Sequence, residues 1–135
     1  MPFSNDSTLV VEYIDGIVWK LTKKVSYFID ENTVVMIPEG FMTDFASIPQ
    51  VLWNIWPPTG GMYGKAALVH DYLYRTAQVL DVKTNTKQNI TRSFADSVFL
   101  QAMKELNIPW YTRYSLYSGV RFGGWQTWNN WRSKK

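Results

Sequence analysis

The stretch LVVEYIDGIVWKL, residues 9–21, decides the fold class. Two runs of β-branched and aromatic residues, 9–14 and 17–21, flank Asp15-Gly16, a dipeptide that supplies the positive φ angles of a tight hairpin turn. Outward from this hairpin, Val25 to Ile29 and Thr33 to Ile37 form a second pair of such runs around Asp30-Glu31-Asn32. Residues 1–40 therefore read as a small antiparallel sheet, closed by Pro38-Glu39-Gly40. Beyond it the pattern turns helical. Ser47-Ile48-Pro49-Gln50 has the form of a capping box and predicts a short helix through Trp56, stopped by Pro57-Pro58. A second helix is expected from about Gly64 to Thr76, and residues 78–90 read as a polar surface excursion. Thr91 to Leu106 places Phe94, Val98, Phe99, Ala102, Met103 and Leu106 on one apolar face. Asn107 suits a helix exit and Pro109 a first turn, so a fourth helix runs from there to Phe122. Gly123-Gly124 is expected to break it, leaving a Trp-rich basic tail over 123–135. Strands first and helices after, in the segments 1–40 and 47–122, predict an α+β fold.

The 135 residues suit a single domain with one core. The absence of cysteine excludes disulfides and thiolate metal sites. No basic segment followed by an apolar run opens the chain, and no stretch approaches the roughly 20 apolar residues of a bilayer span. The expectation is a protein without signal peptide or transmembrane segment. The net charge of +3 is unevenly placed: residues 1–81 carry 5 Lys/Arg against 9 Asp/Glu, and residues 82–135 carry 9 against 2. A basic half of this kind suits an anionic surface, nucleic acid included, or an acidic neighbouring subunit. The 7 Trp, 8 Tyr and 7 Phe exceed what so small an interior needs, which points to rings facing a partner.

The chemistry converges on TDFASIP (43–49) and HDYLY (70–74). His70 is the sole histidine, so any imidazole chemistry near neutral pH passes through it. Asp44, His70, Asp71 and Asp96 are the candidate ligands for a divalent metal, and Asp44, His70 and Asp71 the candidates for acid–base work. His70 and Asp71 lie about 100° apart on their helix and share a site only if another element closes over that edge. The alternative is a structural latch in which the imidazole donates to Asp44. Asp96 has two readings: with Ser93 it forms a capping pattern, whereas a cap at Thr91 sets it one turn in, able to face His70. Metal phosphohydrolases with a His-Asp doublet need further histidines than this chain has. Ser47, His70 and Asp44 are the residue types of a hydrolase triad but lack a Gly-x-Ser-x-Gly elbow, and no phosphate-cradling glycine loop is present. Trp125, Trp128 and Trp131, spaced three apart and followed by Arg132, form a candidate partner-binding stripe.

The order Gly40-Phe41-x-Thr43-Asp44-x-Ala46-Ser47-x-Pro49, His70-Asp71-x-Leu73-Tyr74 and Arg92-x-x-Ala95-Asp96-x-x-Phe99 resembles a family of small uncharacterised proteins encoded in tailed bacteriophages and prophages. The resemblance spans about Val35 to Phe122. It implies a phage context, in the virion or the host cytoplasm, and places Asp44, His70, Asp71 and Asp96 together as a polar signature, with no catalytic assignment attached. The expectation from residues and resemblance together is a non-enzymatic virion component, of head, connector or tail, that docks to other phage proteins or to itself. A small metal-dependent hydrolase acting on cell-wall or nucleotide substrates and a host-directed counter-defence protein are the alternatives.

Overall fold

The computed structural model describes residues 11–15, 18–43 and 64–133. Strands β1 (Val11–Asp15) and β2 (Val18–Leu21) pair antiparallel, as the hairpin reading predicts, and their register is irregular between Tyr13 and Asp15. β2 also pairs with the short β5 (Met42–Thr43), aligning Trp19 with Thr43. Gly40 makes the return possible: its φ of +93° is open to glycine at little cost, and its amide donates to the Leu21 carbonyl at 2.6 Å. The second sheet has the order β3-β4-β6-β7. β3 (Val25–Phe28) and β4 (Thr33–Ile37) form a hairpin whose turn is tied by the Asn32 amide donating to Asp30 Oδ1 at 2.8 Å.

Residues 78–90 are not a polar excursion. They form a hairpin of β6 (Gln78–Asp81) and β7 (Thr86–Asn89), and β6 joins the sheet beside β4 through Val34 and Leu80. Asp81 Oδ1 accepts the Lys83 amide at 2.9 Å and Asn85 takes the positive φ of +53° that the turn requires. All four side chains of β7 are exposed, so a sheet edge hides behind a sequence that reads as loop.

Three helices complete the fold: α1 (Gly64–Thr76) precedes the β6–β7 hairpin, and α2 (Arg92–Glu105) and α3 (Trp110–Ser133) follow it. Helix α1 is the hub, touching α2, α3, β4 and β5. Its residues Ala66 to Asp71 are all buried, so it is enclosed on every side rather than amphipathic. α2 starts at Thr91, whose hydroxyl accepts the Phe94 amide at 3.1 Å, and not at Ser93. It ends on Asn107 at φ +61°, with the Asn107 amide on the Lys104 carbonyl and the Ile108 amide on that of Met103. Tyr27, Leu21, Ile37, Leu68, Leu73, Phe99 and Met103 fill one core between the sheets and the helices.

Gly123-Gly124 does not break the last helix. α3 continues unbroken to Ser133, so residues 123–133 of the expected tail are its second half. A side chain at Gly124 would run into the Tyr74 hydroxyl, so this glycine permits a close helix crossing that offsets its poor helix propensity. The capping box at 47–50, the helix through Trp56, residue 9 and 10 of the first strand, and Asp44 with its expected bond to His70 lie outside the described residues.

Candidate functional site

The cap at Thr91 sets Asp96 on the face of α2 that meets α1. Its carboxylate is fully buried and takes donors from all three helices. Oδ1 lies 2.7 Å from His70 Nε2 and accepts the Tyr74 hydroxyl at 2.6 Å. Oδ2 accepts Arg121 Nη1 at 2.7 Å, with Arg92 Nη1 at 3.5 Å. Burial drives the Asp96 pKa upward, but the bonds from His70, Tyr74 and Arg121 outweigh it and hold the carboxyl below its ordinary range. An ionised carboxylate only accepts, which assigns the His70–Asp96 proton to Nε2. Tyr74 is the complement: burial first, and then the bonded carboxylate, raise its phenol far above the usual tyrosine value. Asp96 in turn holds the Arg121 guanidinium more firmly protonated. The imidazole packs against Tyr74 and Phe99, both rings tilted to it, with centroids at 4.2 and 4.7 Å.

Asp71, one residue on, turns into a different cluster, as its 100° offset predicts. Its Oδ2 accepts the Thr43 hydroxyl at 2.7 Å and its Oδ1 the Arg75 Nε at 3.1 Å. The Arg75 guanidinium lies 5.4 Å from the Phe41 ring centre and 4.7 Å from that of Trp131. Thr43, Asp71, Arg75 and Trp131 thus tie β5 to α1 and α1 to the end of α3. Two neighbouring residues of HDYLY accordingly anchor two separate seams of the fold.

The predicted site residues divide between these clusters. His70 and Asp96 meet directly, Asp71 faces away from them, and Asp44 lies outside the described residues. Among the described residues no three His, Asp or Glu side chains converge as a metal site. Each Asp96 oxygen already receives two donors and His70 Nε2 is spent on one of them, so the atom left to a ligand is His70 Nδ1, buried without a hydrogen-bond partner among the described residues. Of the aromatic stripe, Trp125 is exposed, whereas Trp128 stands edge-on to Tyr74 with centroids 5.3 Å apart and Trp131 covers Arg75. Arg132 donates from Nη2 to the Tyr74 and Arg75 carbonyls at 2.7 and 2.8 Å, closing the C-terminus of α1.

Sequence reasoning missed Tyr74, Arg92 and Arg121 as members of the cluster. The four-residue spacings His70 to Tyr74 and Arg92 to Asp96 were available signals, because such pairs share a helix face. Arg121 offered none, since it reaches Asp96 only through the crossing of α2 and α3.

A family model described as "Protein of unknown function (DUF1353)" matches residues 19–120. No curated protein and no solved structure matches the chain. Among the described residues no helix is long and apolar enough to cross a membrane.

Proposed function

The chain belongs to the DUF1353 family, and from that premise we propose that it is a non-enzymatic phage or prophage protein, a component or accessory of the virion that docks to other subunits through α3. The observation that carries this reading is the outer face of α3, where Trp110, Tyr111, Tyr114, Phe122 and Trp125 stand exposed in one helix. Rings of this kind are enriched at protein interfaces. The cations of α3 are engaged inside the chain: Arg113 on the Ile108 carbonyl, Arg121 on Asp96, Arg132 on the end of α1. A helix whose arginines are bonded within the chain and whose rings point outward suits a protein partner better than a nucleic acid. The polar signature serves as scaffolding, a reading supported by its two described carboxylates, Asp71 and Asp96, whose oxygens all accept donors within the fold. The phage setting is supported by the ordered motifs of Gly40 to Pro49, His70 to Tyr74 and Arg92 to Phe99.

Mass spectrometry of density-banded particles from the phage or prophage encoding the chain tests the reading. The chain is expected in the particles in integral proportion to the major proteins, and Tyr114→Lys is expected to remove it while leaving its melting curve intact. Particles of full infectivity lacking the chain would overturn a virion role.

A second reading, a divalent-metal-dependent hydrolase of cell-wall or nucleotide substrates, is favoured by His70 Nδ1, which has no hydrogen-bond partner among the described residues. Elemental analysis of protein purified without chelator separates the two: stoichiometric metal lost in His70→Ala supports the hydrolase.

A further inference from the structure

The exposed rings of α3 follow a pattern that specifies their partner. Trp110, Tyr111, Tyr114, Phe122 and Trp125 are 67, 60, 49, 84 and 51 % exposed. At about 100° per residue they fall within one arc of roughly 120°, with Ser118 near its middle. Tyr114 and Phe122 stand four residues to either side of Ser118, and Tyr111 and Trp125 seven. From Tyr111 to Trp125 the sequence of steps, three, four, four, three, is the same in both directions, and only Trp110, whose counterpart is Gln126, stands outside it. A face unchanged by reversal matches itself when a second helix runs antiparallel, which is the relation a two-fold axis creates.

Two glycines point the same way. Cβ atoms added at Gly119 or Gly123 would meet nothing within 4 Å, in contrast to Gly124. Glycine inside a helix is disfavoured relative to alanine, and nothing within the described residues asks for it at these two positions. With Ser115 they form a line of small residues, four apart, beside the aromatic ridge. A ridge on one helix seats in such a groove on another. α3 contains no acidic residue, and the arginines near the face are bonded within their own chain: Arg121 to Asp96, and Arg113 to the Ile108 carbonyl with its guanidinium 5.5 Å from the Tyr114 ring centre. With about 150–250 Å² for each fully buried ring, five rings exposed to this extent offer about 600 Å² per copy. An α3 pair then buries about 1,200 Å², which reaches the lower bound of stable, specific interfaces.

We propose that α3 pairs antiparallel with α3 of a second copy about a two-fold axis at Ser118, setting Tyr114 against the partner's Phe122 and Tyr111 against the partner's Trp125. This deepens the docking reading and rests on it: the subunit that covers the face is another copy of the chain.

Sedimentation velocity tests the pairing on the full chain. The wild type is expected to sediment as a dimer at micromolar concentration. Tyr114→Lys and Phe122→Glu, each alone, are expected to raise the dissociation constant at least about tenfold. Combined in one chain they are expected to restore the dimer, because the introduced lysine of one copy meets the introduced glutamate of the other only in the antiparallel register. Ser118→Cys adds a readout that leaves every ring in place: the chain has no cysteine, so the variant is expected to cross-link to itself under mild oxidation, and Ser97→Cys, on the exposed surface of α2, is not. A chain that stays monomeric to about 100 µM and does not cross-link through Ser118→Cys overturns the pairing. So does a dimer indifferent to Tyr114→Lys. If the chain is monomeric yet Tyr114→Lys still removes it from particles, docking stands with a different subunit on the face; if the variant enters particles as well as wild type, both readings fall.

Discussion

Asp96→Asn is the perturbation that most sharply separates a cross-link of the three helices from a decorative polar cluster. The carboxylate is fully buried and receives His70 and Tyr74 on one oxygen and two arginines on the other. An amide is nearly isosteric but presents an NH2 group to one of these donor pairs, so two donors face a donor and the arginines lose their counter-ion. Removing one partner of a buried ionic network costs roughly 3–5 kcal/mol. The Arg121 and Arg92 side chains are 34 and 21 % exposed and recover water, which discounts their share. The expected loss is therefore about 3 kcal/mol, set chiefly by the His70 and Tyr74 side. That is a large fraction of the 5–15 kcal/mol typical of a domain and lowers the melting temperature by about 10 °C. Urea unfolding followed by circular dichroism measures it, with an unchanged slope confirming a shared unfolded reference. The pH dependence carries the sign. Because the folded carboxyl is held below its unfolded value, its contribution is complete above the ordinary aspartate pKa of about 3.9 and is lost as pH falls through the folded pKa. Wild type and variant should differ fully at pH 7 and converge in strong acid. A difference under about 1 kcal/mol at pH 7 would refute the reasoning, since neutral side-chain hydrogen bonds alone would account for it.

Three further outcomes are expected. Tyr74 keeps its proton to higher pH in the folded state than in the unfolded chain, so stability is complete below about pH 10 and declines above it; Tyr74→Phe should show a shallower alkaline decline, and an equal slope would contradict the burial and the Asp96 bond. Gly124→Ala drives a methyl group into the Tyr74 hydroxyl and should destabilise by about 1–3 kcal/mol despite its better helix propensity, with Tyr74→Phe in the same chain recovering part of the loss in a thermal melt. Arg132→Met frees two carbonyls at the end of α1 and should raise amide hydrogen exchange over residues 125–133 at least about tenfold while residues 110–120 change less.

What the sequence disclosed follows from how local each feature is. The Asp15-Gly16 hairpin, the ends of α1, the Thr91 cap and the Asn107 exit are written in neighbouring residues and could be read there. The β6–β7 hairpin could not, because Thr86-Lys87-Gln88-Asn89 is an edge strand with every side chain in water, and the pairing that draws the hairpin into the sheet is that of β6 with β4, more than 40 residues earlier. Gly124 looked like a helix break because its reason for being glycine is Tyr74, 50 residues away. His70 and Asp96 were legible as candidates by residue type, and the Thr91 alternative set them face to face. Arg121 carried no local sign. The tryptophans at 125, 128 and 131 read as one surface, but steps of three turn the helix by 300° and spread the rings over about 120°. One therefore points outward while the other two lie on α1.

The most direct test of the His70–Asp96 bond is nitrogen-15 NMR of the imidazole, which needs no assignment because His70 is the sole histidine. The account predicts a protonated Nε2 at neutral pH whose proton resonates far downfield in its bond to Asp96, and whose signal moves upfield in Asp96→Asn. An Nε2 that carries no proton, or whose proton ignores that substitution, would contradict it.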